Sequence, residues 1–191
     1  MAGLAKQAVS WLRSQSDLTH HSLTVAATAS ALPLLPHLSP PALASLNLAA
    51  VAVQFGAQNW VAWVAGPTMF LNMPRNDFGN IQARLFPKLG MVSVATGGLT
   101  LASYSLHHTA DTATYLLAAS LACNCLNSFL IFPKTTELQF LKRSIKDGNE
   151  KAAAERRFGM VHGVSVLVNL VSMVANLAYI CLLGSQLSGQ W

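Results

Sequence analysis

The polar residues able to do chemistry in this chain stand inside long apolar runs. Gln54 and Gln58 lie one helical turn apart, with Asn59 beside them, and Asn124 and Asn127 fall in a second run. His162, Asn169 and Asn176 follow at seven-residue intervals in the last run. That interval puts them on one seam of a helix, facing a neighbour, with Ser165 and Ser172 alongside. Side-chain amides at bilayer depth need partners, so these faces look at other helices and away from lipid. The seam is read first as interhelical glue; its alternative is the polar lining of a small carrier or channel. An ion-coupled mechanism would have only His162, since no Asp, Glu, Lys or Arg lies within an apolar run.

Other chemistries find little support. There is no Ser-His-Asp set, carboxylate pair, HExxH or CxxC, and the few acids fall in connections, so no enzyme is expected. Cys123, Cys125 and Cys181 sit in apolar runs and read as small buried hydrophobes, not disulfides or metal ligands. The pairs His20-His21 and His107-His108 fall on one side of the expected topology and read as solvated polar residues.

The elements that must position the seam follow from composition. The 191 residues are 52% hydrophobic and only 10% charged, against roughly 25% charged in a soluble domain. The charges are segregated, which is the membrane pattern. The expected fold is all-α: a four-helix transmembrane bundle over 42–184, spans about 42–71, 89–106, 112–132 and 159–184. An N-terminal amphipathic extension (1–41) and a short polar tail (185–191) flank it. Gly66-Pro67 should kink the first span. Pro74 ends it, and Asp77 is expected to cap a separate interfacial helix with Arg75, Arg84 and Lys88 on its basic side. Gly97-Gly98 would let the second span approach a neighbour closely. Pro133 closes the third span, and Thr136 to Gln139 reads as a capping box opening another interfacial helix. The polar stretch DGNEKAAAERR after it reads as an exposed connection.

Charge sets the orientation. The first and third connections hold ten of the twelve Lys and Arg residues, leaving Lys6 and Arg13 for the other side. The positive-inside rule puts the basic connections in the cytoplasm or matrix, with both termini opposite. Arg75, Arg84, Lys88, Lys134, Lys142, Arg143 and Lys146 are candidates for lipid headgroups; no cofactor is expected, and a structural phospholipid such as cardiolipin is the candidate bound molecule if the membrane is mitochondrial. The net charge of +5 follows that membrane side, and no nucleic-acid surface is expected. The first sixteen residues carry Lys6 and Arg13 and no acid, as in an interfacial helix or a mitochondrial transit peptide. The mitochondrial inner membrane is therefore favoured, with endoplasmic reticulum or plasma membrane as alternatives.

The run Gly56 to Trp60, Phe70, Pro74-Arg75, Phe78-Gly79, Gln82 and Leu85 to Pro87 resembles the transmembrane protein 205 family. So do Asn127 with Pro133 to Thr136, and Phe158 to Gly163 with Asn169. The resemblance covers about 46–183 and implies a four-helix membrane protein of undefined activity. It also implies distant similarity to copper-resistance and haem-binding four-helix proteins. Here His162 matches a family histidine, but Asn47 stands where family members can carry another. A haem needs axial ligands, so haem or metal binding is the weaker alternative. The leading expectation is a non-catalytic accessory subunit of a respiratory-chain or ATP-synthase-type complex, with other membrane subunits and phospholipids as partners.

Overall fold

The structure, a computed structural model, describes residues 26–188. Residues 1–25 of the expected N-terminal extension, with His20-His21, and residues 189–191 of the tail lie outside the described residues. Among the described residues, four helices are long and apolar enough to cross a membrane: α1 (Pro40–Asn72), α2 (Arg75–Ser105), α3 (Thr112–Ser144) and α4 (Asn149–Ser188). They run up and down, each packed on the next, with α4 returning to α1. A 3-10 turn, Leu32–His37, precedes α1; it buries Leu35 and lies against α2.

Prolines and short turns set the helix ends. Pro40 and Pro41 occupy the first turn of α1, where their missing N–H groups cost nothing. Met73 is extended ahead of Pro74, the conformation that a following proline imposes. Asp111 caps α3, its Oδ1 accepting from the Thr114 N–H at 2.9 Å. Gly148, at φ +96°, turns the chain between α3 and α4, a backbone region open to glycine.

Two prolines expected to interrupt spans are instead absorbed by widened turns. A proline inside a helix lacks a donor and its ring collides with the carbonyl four residues back. In α1 the segment Trp60–Ala65 is π-helical, and the Gly66 N–H donates to the Val61 carbonyl, five residues back, just before Pro67. In α3 the segment Asn127–Ile131 does the same, the Phe132 N–H reaching the Asn127 carbonyl just before Pro133. The kink at Gly66-Pro67 takes this form, while Pro133 does not close the third span.

The amphipathic segments of the basic connections are thus helical but continuous with the spans. Residues 75–88 form the start of α2, which runs through Pro87, and Asp77 lies in its first turn while Pro74 takes the cap position. Thr136 is buried mid-helix in α3, so the capping box does not form. The polar stretch after Gly148 is the first part of α4. The connection between α3 and α4 is therefore only residues 145–148.

The bundle changes character along its length. At the end holding the α2–α3 connection, Val51, Tyr104, Ala113, Leu117 and Tyr179 form an apolar core. The middle is polar, and at the basic end α1 and α4 diverge. Gly90 of α2 lets α3 approach: a Cβ there would lie 2.5 Å from Ser128 Oγ and 3.0 Å from Ser128 Cβ. Of the expected pair, Gly97 contacts Gln54 and Leu121 of its neighbours, while Gly98 faces open space.

Candidate functional site

Three polar layers hold the helices together. In the outer layer Asn47 on α1 donates to the Thr100 carbonyl (2.9 Å) and Ser103 Oγ (3.1 Å) of α2. Asn47 Oδ1 accepts the Tyr179 hydroxyl of α4 at 2.5 Å. Beside it the Tyr104 hydroxyl donates to Asp111 Oδ2 at 2.7 Å, and the Tyr104 ring stacks on His108. The Thr114 N–H, followed by the Tyr104 hydroxyl, holds the Asp111 carboxyl below its usual pKa by favouring the charged form.

The middle layer centres on Gln58. Its Nε2 lies 2.9 Å from Asn124 Oδ1, 3.3 Å from Asn169 Oδ1 and 3.2 Å from Ser172 Oγ, and its Oε1 accepts from Asn176 Nδ2 at 3.3 Å. Ser172 Oγ donates to Asn124 Oδ1 at 3.1 Å. Gln54 Nε2 donates to Ser120 Oγ, which meets Ser172 Oγ at 3.0 Å. One layer below, Asn127 and Ser165 exchange two bonds: Asn127 Nδ2 to the Ser165 carbonyl and Ser165 Oγ to Asn127 Oδ1.

Among the residues expected on the seam, Gln54, Gln58, Asn124, Asn169 and Asn176 converge in the middle layer. Asn127 forms the next one. Asn59 does not join them; its amide turns back to the Phe55 carbonyl of its own helix at 2.8 Å. His162 is half-buried, its ring parallel to that of Phe158, and its ring nitrogens meet no hydrogen-bond partner among the described residues. Ser120 and Tyr179 carry no signal in the sequence, and Asn47 stands there only in place of a histidine. The cysteines also differ from expectation: Cys123 and Cys125 are half-buried and Cys181 is exposed on the bundle's outer face.

A haem held between positions 47 and 162 does not fit this geometry. Asn47 lies at the level of Tyr179, seventeen residues along α4 from His162, about 25 Å at the helical rise. Among the described residues no three His, Cys, Asp or Glu side chains cluster as metal ligands.

Below the Gln58 layer the diverging α1 and α4 leave a crevice of about 1370 Å³, backed by α2 and α3. Asn169 and Met173 form its inner end, and Trp63, Phe86, Phe132 and Phe158 contribute aromatic walls. Its mouth carries Arg75, Lys142, Arg143 and Lys151, with Glu155 the acid among them. Arg143 Nη1 donates to Asn80 Oδ1 at 2.8 Å and its Nη2 to the Asn76 carbonyl at 3.0 Å. Lys142 Nζ stands 3.6 Å above the Phe158 ring, and the Arg75 guanidinium 3.8 Å above Phe70. Gly79 makes room for Gln139 and Arg143, since a Cβ at 79 would collide with both side chains.

The expected headgroup residues therefore divide. Arg75, Lys142 and Arg143 gather at the crevice mouth. Arg84 and Lys88 are exposed a turn apart on α2, and Lys134 pairs with Glu137 at 2.9 Å. Lys146 lies on the connection, its carbonyl accepting from Lys151 Nζ.

Comparison with known proteins agrees with a membrane bundle of undefined activity. The profile described as "Domain of unknown function (DUF4149)" matches residues 49–144, from the middle of α1 to the end of α3. The chain is similar to Transmembrane protein 205 of Danio rerio, 23% identical over 170 residues that cover 72% of this chain and 90% of that protein. No solved structure matches significantly.

Proposed function

This chain belongs to the family of the DUF4149 domain, and from that premise we propose that it is a non-catalytic structural or accessory subunit of a larger membrane assembly. The observation that carries this reading is the use of the seam amides. Gln54, Gln58, Asn124, Asn127 and Asn176 all bond one another or nearby serines across helices, and all are buried. Most of their polar atoms are committed to one another, Asn124 Nδ2 and Asn176 Oδ1 being the two without a partner among the described residues, and this pairing stabilises a fixed arrangement of the helices. The absence of Asp, Glu, Lys or Arg from the expected spans argues the same way against ion-coupled transport.

The acid-poor N-terminal sequence supports the mitochondrial inner membrane as its location, with the basic ends of the helices on the matrix side. A respiratory-chain or ATP-synthase-type complex is the setting proposed there. A second reading, a small carrier, is favoured by the crevice beside His162. The two separate in a mild-detergent extract run on a native gel and read by mass spectrometry. Co-migration at fixed stoichiometry with a large assembly is expected; migration alone, as monomer or dimer, contradicts the subunit reading and directs attention to transport.

A further inference from the structure

We propose that the crevice between α1 and α4 is a binding site for one anionic phospholipid of the surrounding bilayer. Its phosphate would sit at the Lys142–Arg143–Gln139 end and an acyl chain would run toward Met173. The inference does not depend on membership of a larger assembly.

Charge, polarity and length all point to this occupant. Arg75, Lys142 and Arg143 make no ion pair among the described residues; their charges rest on aromatic rings, an amide oxygen and backbone carbonyls. Four cations against one acid at a mouth suit a phosphate, which takes several charge-assisted donors at once. Gln139 adds an independent sign. It is only 6% exposed, it lines the crevice, and its Nε2 has no hydrogen-bond partner. A buried donor without an acceptor is costly; the nitrogen packs on Gly79 beside the Arg143 guanidinium, and a rotation of the amide toward the crevice would let a phosphate or ester oxygen satisfy it. Gly79 brings that amide and the Arg143 guanidinium onto the same spot.

The remaining depth is lined for hydrocarbon. From Lys151 to Met173, both crevice-lining residues of α4, the helix rises about 33 Å. That is enough for a headgroup region and one leaflet of roughly 15 Å, half the usual hydrocarbon thickness. The inner end closes at the Gln58 layer, where α1 and α4 are hydrogen-bonded, so an acyl chain would stop near mid-bilayer.

The test uses the full chain reconstituted in phosphatidylcholine vesicles doped with phosphatidylglycerol or cardiolipin, then released in mild detergent for native mass spectrometry. One retained anionic phospholipid per chain is expected. Lys142→Gln and Gln139→Leu should each weaken its apparent affinity roughly tenfold across a titration of the doped lipid, the loss expected for one contact to a charged group. Val166→Trp, which fills the crevice from its wall, should abolish retention with helicity and thermal stability unchanged. Lys134→Gln, an exposed cation on α3 outside the crevice, should change nothing. Retention of phosphatidylcholine equal to that of the anionic lipids, or equal loss in Lys134→Gln and Lys142→Gln, overturns the proposal. So does displacement of the lipid by oleate without phospholipid rebinding, since the site would then read a carboxylate amphiphile.

Discussion

Replacing Gln58 with leucine removes the centre of the middle layer at nearly constant volume. The amide has two hydrogens for three acceptors, Asn124, Asn169 and Ser172, and its oxygen accepts from Asn176. At any instant it therefore makes about three bonds between α1 and its neighbours. Interhelical hydrogen bonds in membranes average about 0.6 kcal/mol each, so the direct loss is about 2 kcal/mol. Leaving the Asn176 and Asn124 amides less satisfied pushes the effect upward. For a chain of this size, 2 kcal/mol corresponds to a fall of about 4–8 °C in Tm. The assay is thermal unfolding in mild detergent followed by helical circular dichroism. Asn59→Leu is the control, because Asn59 is adjacent in sequence yet bonds only its own helix. A Gln58→Leu protein with wild-type Tm, or a fall matched by Asn59→Leu, would refute the role assigned to the layer.

Other outcomes follow from particular contacts. Gly90→Leu should force α2 from α3 at Ser128 and lower Tm, while Gly98→Ala, with open space at its Cβ, should raise stability by up to about 1 kcal/mol through helix propensity; unfolding of both variants in detergent reads the contrast. Asn169→Leu should cost less than Gln58→Leu, since Asn169 is half-buried and shares one acceptor contact with Gln58 at 3.3 Å, and a larger loss would contradict the layer's geometry. The Asp111 pKa is lowered in the fold, so its contribution is fully present above the unfolded value near 4 and is lost as pH falls through the lower folded value. Asp111→Asn keeps a good N-cap and should flatten the fall of Tm below about pH 4; an unaltered acid limb would show that other carboxyls set it.

The four spans were legible because their charge-free apolar runs, of eighteen residues or more, approach or exceed the hydrocarbon thickness of a bilayer, and so were the amides that meet in the middle layer. Asn59 misled because adjacency in sequence is a 100° rotation on a helix, which turns it off the seam of Gln58. Pro133 read as a helix stop because a proline usually breaks a helix. In α3 a widened turn accommodates it, and nothing in NSFLIFP distinguishes that outcome from a break. The same misreading hid Gln139: assigned to a helix start, it lies buried in the continuation of α3. The crevice was invisible for a different reason. It arises from the divergence of α1 and α4, which are far apart in sequence, and its lining is ordinary aromatic and aliphatic residues.

An up-and-down bundle sealed at the Gln58 layer should carry its basic ends on one side of the membrane. Single cysteines placed in a chain with Cys123, Cys125 and Cys181 replaced by alanine test it in sealed vesicles, using a membrane-impermeant maleimide. Lys151→Cys should react from one face only, Thr109→Cys, in the α2–α3 connection, only from the other, and Ser172→Cys from neither until the protein is unfolded. Labelling of Lys151→Cys and Thr109→Cys from the same face, or rapid labelling of Ser172→Cys in the folded protein, would contradict it.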